Sequence, residues 1–237
     1  MGLLRSERRV TLVSRSLADG RKTIGGTIVF VRPITAHEWR LYRSLRLRAL
    51  RESPDAFAST YEREATRSDD DWEARVSAVA TSTSAQAFLA FQHAEPCGLV
   101  WCKSSEAEPG VVEVFQMWVD PVSRSVGAGR ALLARAIAWA EGRGAQRIRL
   151  GVTIADTPAM RLYRSNGFCD IGLPEPVRQG SSLSSQSMEL NLGLRSGTDS
   201  PDSFWGCVVK SGGEARIYSR MVSAGEKPSE ISEGGSE

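Results

Sequence analysis

Residues 111–142, VVEVFQMWVDPVSRSVGAGRALLARAIAWAEG, constrain the fold more than any other stretch of this chain. A β-branched and aromatic run stops at Pro121, a short loop carrying arginine and glycine follows, and then Leu132, Leu133, Ala136, Ile137 and Ala140 recur at helical spacing. Strand, glycine loop and helix entry together make an anion site. The first N–H groups of a helix have no internal partners, and the helix dipole favours negative charge there. Gly127 and Gly129 let a ligand approach the main chain, and Arg124 and Arg130 add charge. A dinucleotide fingerprint would need glycine where Leu132 stands, and a Walker A loop would need Lys and Ser or Thr after Gly129, where Arg130 and Ala131 stand. Arg124, Gly127 and Gly129 do satisfy [QR]-x-x-G-x-[GA], although a bare helix entry loop would look the same at this length.

The neighbouring segments give the loop its setting. TIVFVRPI reads as a strand, and an amphipathic helix runs from the N-cap Thr35 to Arg51, ended by ESPDAF. Ser68 and the acids after it start a second, shorter helix. AFLAFQ, PCGLVWCK and VVEVFQMWV read as consecutive antiparallel strands. After the glycine-loop helix, which ends near Gly142 or Gly144, come the strand RIRLGV, the short helix TPAMRLYRSN, and the strands GFCDIG and SQSMELNL. This order predicts one α+β domain over residues 27–193. Residues 1–26 read as a disordered extension, although their basic, acid-poor composition also fits a transit peptide. Residues 194–237 read as a largely disordered tail with one apolar patch, FWGCVV.

Composition excludes several functions. A net charge of +2 is too small to argue for a nucleic-acid partner, and no apolar run reaches the roughly 18 residues of a spanning helix. Cys97, Cys102, Cys169 and Cys207 form no C-x-x-C pair, and the only histidines are His37 and His93, so no metal site is expected. The cysteines read as reduced packing residues of a cytoplasmic protein.

MWVDPVSRSVGAGRALL resembles motif A of the GCN5-related N-acetyltransferase (GNAT) superfamily, and DTPAMRLYRSNGF resembles its motif B through Ala159, Leu162, Tyr163, Gly167 and Phe168. The resemblance implies a GNAT-like, mixed, mostly antiparallel central sheet flanked by helices in α/β/α layers. It also implies acetyl-coenzyme A in a cleft where the strands carrying QMWV and RIRLGV splay apart. The backbone of Met117, Trp118 and Val119 would pair with the pantetheine as an added strand. The loop residues Arg124, Ser125, Val126, Gly127, Ala128, Gly129 and Arg130 would hold the pyrophosphate. Asp156 stands where the family usually has asparagine; it keeps a helix cap but loses the amide donor toward the cofactor.

Amide formation from a thioester needs a neutral amine, donors for the developing oxyanion and an acid for the departing thiolate. A primary amine such as that of lysine titrates in water near a pKa of about 10.4, so a base or a water chain must take its proton. By resemblance Tyr163 is the general acid. Glu113 is the candidate base, because strand alternation puts it on one face with Phe115 and Met117. The Val119 N–H, or that of Met117 after a bulge, is the candidate oxyanion donor. Trp101 and Trp118 read as core. The segment from Arg43 to Thr66 would form much of the acceptor wall. The expected enzyme transfers acetyl to a primary amine by direct attack. It acts as a monomer or homodimer with no metal, no nucleic acid and no membrane, and a small-molecule acceptor is favoured over a protein amine. The alternative is a non-catalytic coenzyme A sensor or interaction module on the same fold.

Overall fold

The computed structural model describes residues 21–24, 27–155, 157–193, 206–211 and 214–219, the backbone alone being described for 21–28 and for everything beyond 193. The strands are β1 (Arg21–Ile24), β2 (Thr27–Pro33), β3 (Ala85–Gln92), β4 (Glu95–Ser104), β5 (Val111–Val119), β6 (Arg147–Thr153), β7 (Cys169–Pro176) and β8 (Ser184–Asn191). They form one sheet in the order β1-β2-β3-β4-β5-β6-β8-β7. Neighbours are antiparallel except β5 and β6, which run parallel. The mixed, mostly antiparallel sheet is therefore as expected.

Local chemistry explains the elements. β3 and β4 turn at His93 and Ala94, whose φ angles of 50° and 68° suit a tight hairpin. Thr35 starts a short 3-10 turn (Ala36–Glu38) that leads into α1 (Trp39–Glu52), and Pro54 stops it. Ser68 caps α3 (Asp69–Thr81), its hydroxyl accepting the Asp71 N–H at 3.1 Å. Between them lies α2 (Tyr61–Ala65), one short turn that the periodicity did not indicate. α4 (Ala128–Gly142) and α5 (Pro158–Ser165) complete the helices.

The sheet carries a core on each face. On one, Tyr42, Leu45 and Leu50 of α1 and Trp72 and Val76 of α3 meet Leu89, Leu99 and Trp118. On the other, Leu132, Leu133, Ala136 and Ile137 of α4 meet Phe88, Val100, Val114 and Ile148, with Met160 and Tyr163 of α5 beside them. Each fully buried leucine contributes about 1.5–3 kcal/mol relative to exposure, which is why the helices bracket the sheet as α/β/α layers. α1 and α3 cover the β2–β5 half; on β6 and β8 the same face carries Arg147, Arg149 and Glu189, joined with Glu108 in an ion-pair network with separations of 2.5–3.5 Å.

Strand β1 pairs with β2 inside the segment read as an N-terminal extension. Two strands, β9 (Gly206–Ser211) and β10 (Glu214–Ser219), form a separate antiparallel pair within the segment read as a tail. The rest of both segments lies outside the described residues. Cys97 and Cys102 are buried free thiols, whereas Cys169, expected to be reduced, is disulfide-bonded.

Candidate active site

The site begins where two strands part. β5 and β6 pair from Val111 opposite Arg147 to Val114 opposite Leu150, and no further. β5 continues to Val119 and β6 to Thr153, so the main chains diverge into a V. A bulge steepens the divergence: β5 pairs with β4 at Trp101–Phe115 and again at Leu99–Trp118, so that Gln116 and Met117 together oppose Val100. Gln116 takes a φ of 55° there. The cleft so formed holds about 740 Å³ and is lined by both strands, the loop before α4, α5 and the Ser53–Phe57 segment.

The bulge also corrects an expected side-chain arrangement. Val112 and Val114 face the α4 core, but after the extra residue Met117 and Val119 face it while Trp118 enters the α1 core. Glu113 and Phe115 therefore share a face with each other and not with Met117. The Asp120 N–H donates to the Cys97 carbonyl at 2.8 Å, toward β4. By the two-residue alternation of a strand, the Val119 N–H points to the opposite side, toward the cleft.

The loop after β5 is tightly specified. The Asp120 carboxylate accepts the Val122 N–H at 3.2 Å, Pro121–Ser123 form a 3-10 turn, and Ser125 and Gly127 take φ angles of 67° and 90°. Left-handed backbone at a non-glycine residue such as Ser125 is a strained state that recurs at ligand sites. α4 then begins at Ala128, leaving the N–H groups of its first turn without intrahelical partners. Arg124, Ser125, Gly127, Gly129 and Arg130 line the cleft, whereas Ala128 is buried in the core and Val126 packs against it. Arg124 is more committed than its charge alone would suggest. Its Nε donates to the Val119 carbonyl at 3.1 Å and its Nη2 to Glu52 Oε2 at 2.7 Å, and the same oxygen accepts the Trp118 indole N–H at 2.9 Å. Partial burial raises the Glu52 pKa, but hydrogen bonds from Ser53, Trp118 and Arg124 outweigh it and hold the carboxyl below its usual range.

Tyr163 is 6% exposed and forms part of the α5 wall of the cleft. Its ring tilts against Phe168 at 5.9 Å, and burial pushes its phenol up to about 12. Thr157, not Asp156, caps α5 by accepting the Met160 N–H at 3.2 Å; Asp156 lies outside the described residues. The cap falls one residue later than the motif comparison suggested because Pro158 occupies the first helical position. Glu113 accepts the Ser105 hydroxyl at 3.1 Å and is not part of the cleft lining, standing one same-face step beyond Phe115, which is.

The opposite wall holds residues that motif reading missed. Thr153 Oγ1 donates to the Asp55 carbonyl at 2.7 Å, and Arg178 Nη1 donates to the carbonyls of Pro54 and Phe57 at 3.2 and 3.1 Å. The Ser53–Phe57 segment is thus fastened across the cleft, and Ser53, Ala56 and Phe57 line it. Behind that wall the Tyr42 hydroxyl donates to Gln116 Oε1 at 2.5 Å. The Ser-Pro break marked only a helix end; partners far away in sequence gave no signal. Among the described residues no cluster of His, Cys, Asp or Glu is arranged to hold a metal ion, and no helix is long and apolar enough to cross a membrane.

Comparison with known proteins follows the same lines. The acetyltransferase (GNAT) family matches residues 46–168, more than half of the chain. A mycothiol acetyltransferase of Thermobispora bispora is 38% identical over 85 residues, 34% of this chain and 29% of that protein. The streptothricin acetyltransferase of Streptomyces lavendulae is 40% identical over 63 residues, 27% of this chain and 33% of that protein. The chain thus spans about a third of the length of these curated relatives. A GNAT-family acetyltransferase structure from Streptococcus pneumoniae superimposes with a TM-score of 0.60 at 20% identity, covering 70% of this chain and 99% of that one. The yncA structure from Salmonella typhimurium, solved with its cofactor acetyl-CoA, gives 0.59 at 19% identity over 73% of this chain and 98% of that one.

Proposed function

The chain belongs to the GNAT family of acetyltransferases, and on that premise we propose that it moves an acetyl group from acetyl-coenzyme A to a primary amine of a small molecule by direct attack. One observation carries the reading: the cleft opens where β5 leaves β6, with the donor-rich loop from Arg124 to Arg130 at one end and Tyr163 in its wall. The residues present suit this donor. Free N–H groups of the α4 first turn and the Arg130 guanidinium hold the pyrophosphate, Arg124 and Glu52 keep the loop in shape, and the β5 edge from Met117 to Val119, which β6 leaves unpaired, pairs with the pantetheine.

Bound acetyl-coenzyme A supplies a thioester carbonyl and a thiolate leaving group. The Val119 N–H donates to the carbonyl oxygen as negative charge develops there. Tyr163, still protonated at neutral pH because burial holds its phenol near 12, gives its proton to the departing sulfur. Glu113 draws the proton from the attacking amine through water, since Phe115 stands between it and the cleft. Relatives named for mycothiol and streptothricin support a small-molecule acceptor.

The test is a screen of small-molecule extracts with acetyl-labelled coenzyme A. Labelled amides are expected. Saturable binding of acetyl-coenzyme A with no labelled product from any extract would instead mark a coenzyme A-binding module.

A further inference from the structure

Arg46 is the most deeply buried charge on the acceptor side. It is 2% exposed, and both its Nε and its Nη1 are buried with no hydrogen-bond partner; it is the only side chain with two such atoms among the described residues. A buried guanidinium without an anion is costly, so its surroundings matter. The carboxylate facing it is Glu64, 3% exposed, but Arg67 Nε already donates to Glu64 Oε2 at 2.8 Å, and Arg75 also acts on the same carboxylate. Three cations share this carboxylate, with Asp71 acting in addition on Arg67. Burial accordingly lowers the Arg46 pKa, with the Tyr42 hydroxyl and Glu64 opposing and Arg75 adding to the effect.

This excess of positive charge lies directly behind the cleft. The Arg46 guanidinium covers the Phe57 ring, 4.5 Å from its centroid, and Phe57 lines the cleft. Arg178 Nη1 donates to the Phe57 carbonyl at 3.1 Å, and its only carboxylate contact among the described residues is a loose one, 3.9 Å to Asp55. Phe57 therefore touches two guanidinium groups, Arg46 at its ring and Arg178 at its carbonyl, neither of them in a close ion pair of its own among the described residues. Among the described residues no carboxylate lines the cleft itself.

We propose that the acceptor carries a carboxylate beside its amine, as an amino acid does, and that the carboxylate is held at the Phe57 corner by Arg46 and Arg178. The Phe57 side chain turns aside on binding, since it belongs to the irregular segment after α1 that is fastened through its backbone. This inference rests on the acetyl-transfer reading and names the acceptor class for it.

The test compares wild-type kcat/KM for each protein amino acid with that for its carboxamide, and repeats the comparison in Arg46→Met and Arg178→Gln. A hydrogen-bonded ion pair of this kind is expected to favour carboxylates by roughly 10- to 100-fold, a preference that shrinks in both variants while acetyl-coenzyme A affinity holds. Met keeps the unbranched stem of Arg as far as the Nε position and removes the guanidinium charge; if that variant does not fold, Arg178→Gln and the wild-type comparison still decide. Carboxamides acetylated as well as carboxylates would overturn the proposal. So would turnover of extract amines with neither set accepted, which leaves the transfer reading standing; no turnover of any amine defeats both.

Discussion

Glu52, the last residue of α1, and Arg124, the residue that opens the glycine loop, meet at 2.7 Å across the mouth of the cleft. Through this pair the helix that leads into the Ser53–Phe57 wall of the cleft is tied to the loop that is proposed to bind the donor. Glu52 also takes the Trp118 indole N–H, so one carboxylate fixes a strand, a loop and a helix end. The Arg124 side chain is 44% exposed, and the pair itself should contribute only about 0.5–1 kcal/mol to stability.

Its larger effect is expected in binding. Glu52→Ala and Arg124→Ala should each weaken acetyl-coenzyme A several-fold in a calorimetric titration. The double variant should be little worse than the weaker single one, because both changes release the same loop. Additive losses would show that the two residues act separately.

Much of this was legible in the chain, for definable reasons. The α4 helix and its loop declare themselves through Gly127, Gly129 and an unbroken apolar stripe, and α5 through Pro158 and the motif around Tyr163. The bulge at Gln116 was not legible: no glycine marks it, and the alternation of VVEVFQMWV reads as regular. That one extra residue reassigns Met117, and with it the face on which Glu113 stands. α2 is too short to show a period, and the roles of Glu52, Phe57, Arg46 and Arg178 depend on partners up to 124 residues away.

Removing the Tyr163 hydroxyl should cost catalysis more than fold. Tyr163→Phe keeps the ring that packs on Phe168, and kcat should fall roughly 100-fold or more with acetyl-coenzyme A affinity unchanged. Because burial holds the phenol near 12, the wild-type rate should not decline on the alkaline side through loss of this proton below about pH 10. An unchanged kcat in the variant rules out the acid role.

A separate pH effect should appear in stability. The Arg32 guanidinium bonds Glu38 at 2.6 and 2.8 Å and, against the opposing effect of burial and with help from Thr35, lowers its carboxyl to about 2. A carboxyl whose folded pKa is depressed stabilises the fold above its unfolded value of 4.5 and loses that contribution as pH falls toward about 2. Arg32 is 38% exposed, so solvent screening reduces the effect to about 1 kcal/mol. Melting curves of wild type and Glu38→Gln should differ near neutrality and converge on acidification. A gap that persists in acid would mean that Glu38 acts otherwise than through its charge.

Gly129 gives the most direct test of the donor site. A Cβ placed there would meet Leu162, Val119 and Met117 at 3.4, 3.8 and 3.9 Å, ordinary contact distances, so the fold itself does not require glycine. The pyrophosphate would require it, because the first turn of α4 must be approached at main-chain distance. Calorimetric titration of acetyl-coenzyme A into wild type and Gly129→Ala, with melting temperatures recorded for both, separates the two demands. One site per chain in the wild type, and an affinity at least about tenfold lower in a variant of equal or higher melting temperature, is the predicted result. Equal affinity in both proteins, or no binding to the wild type, would contradict the placement of acetyl-coenzyme A in this cleft.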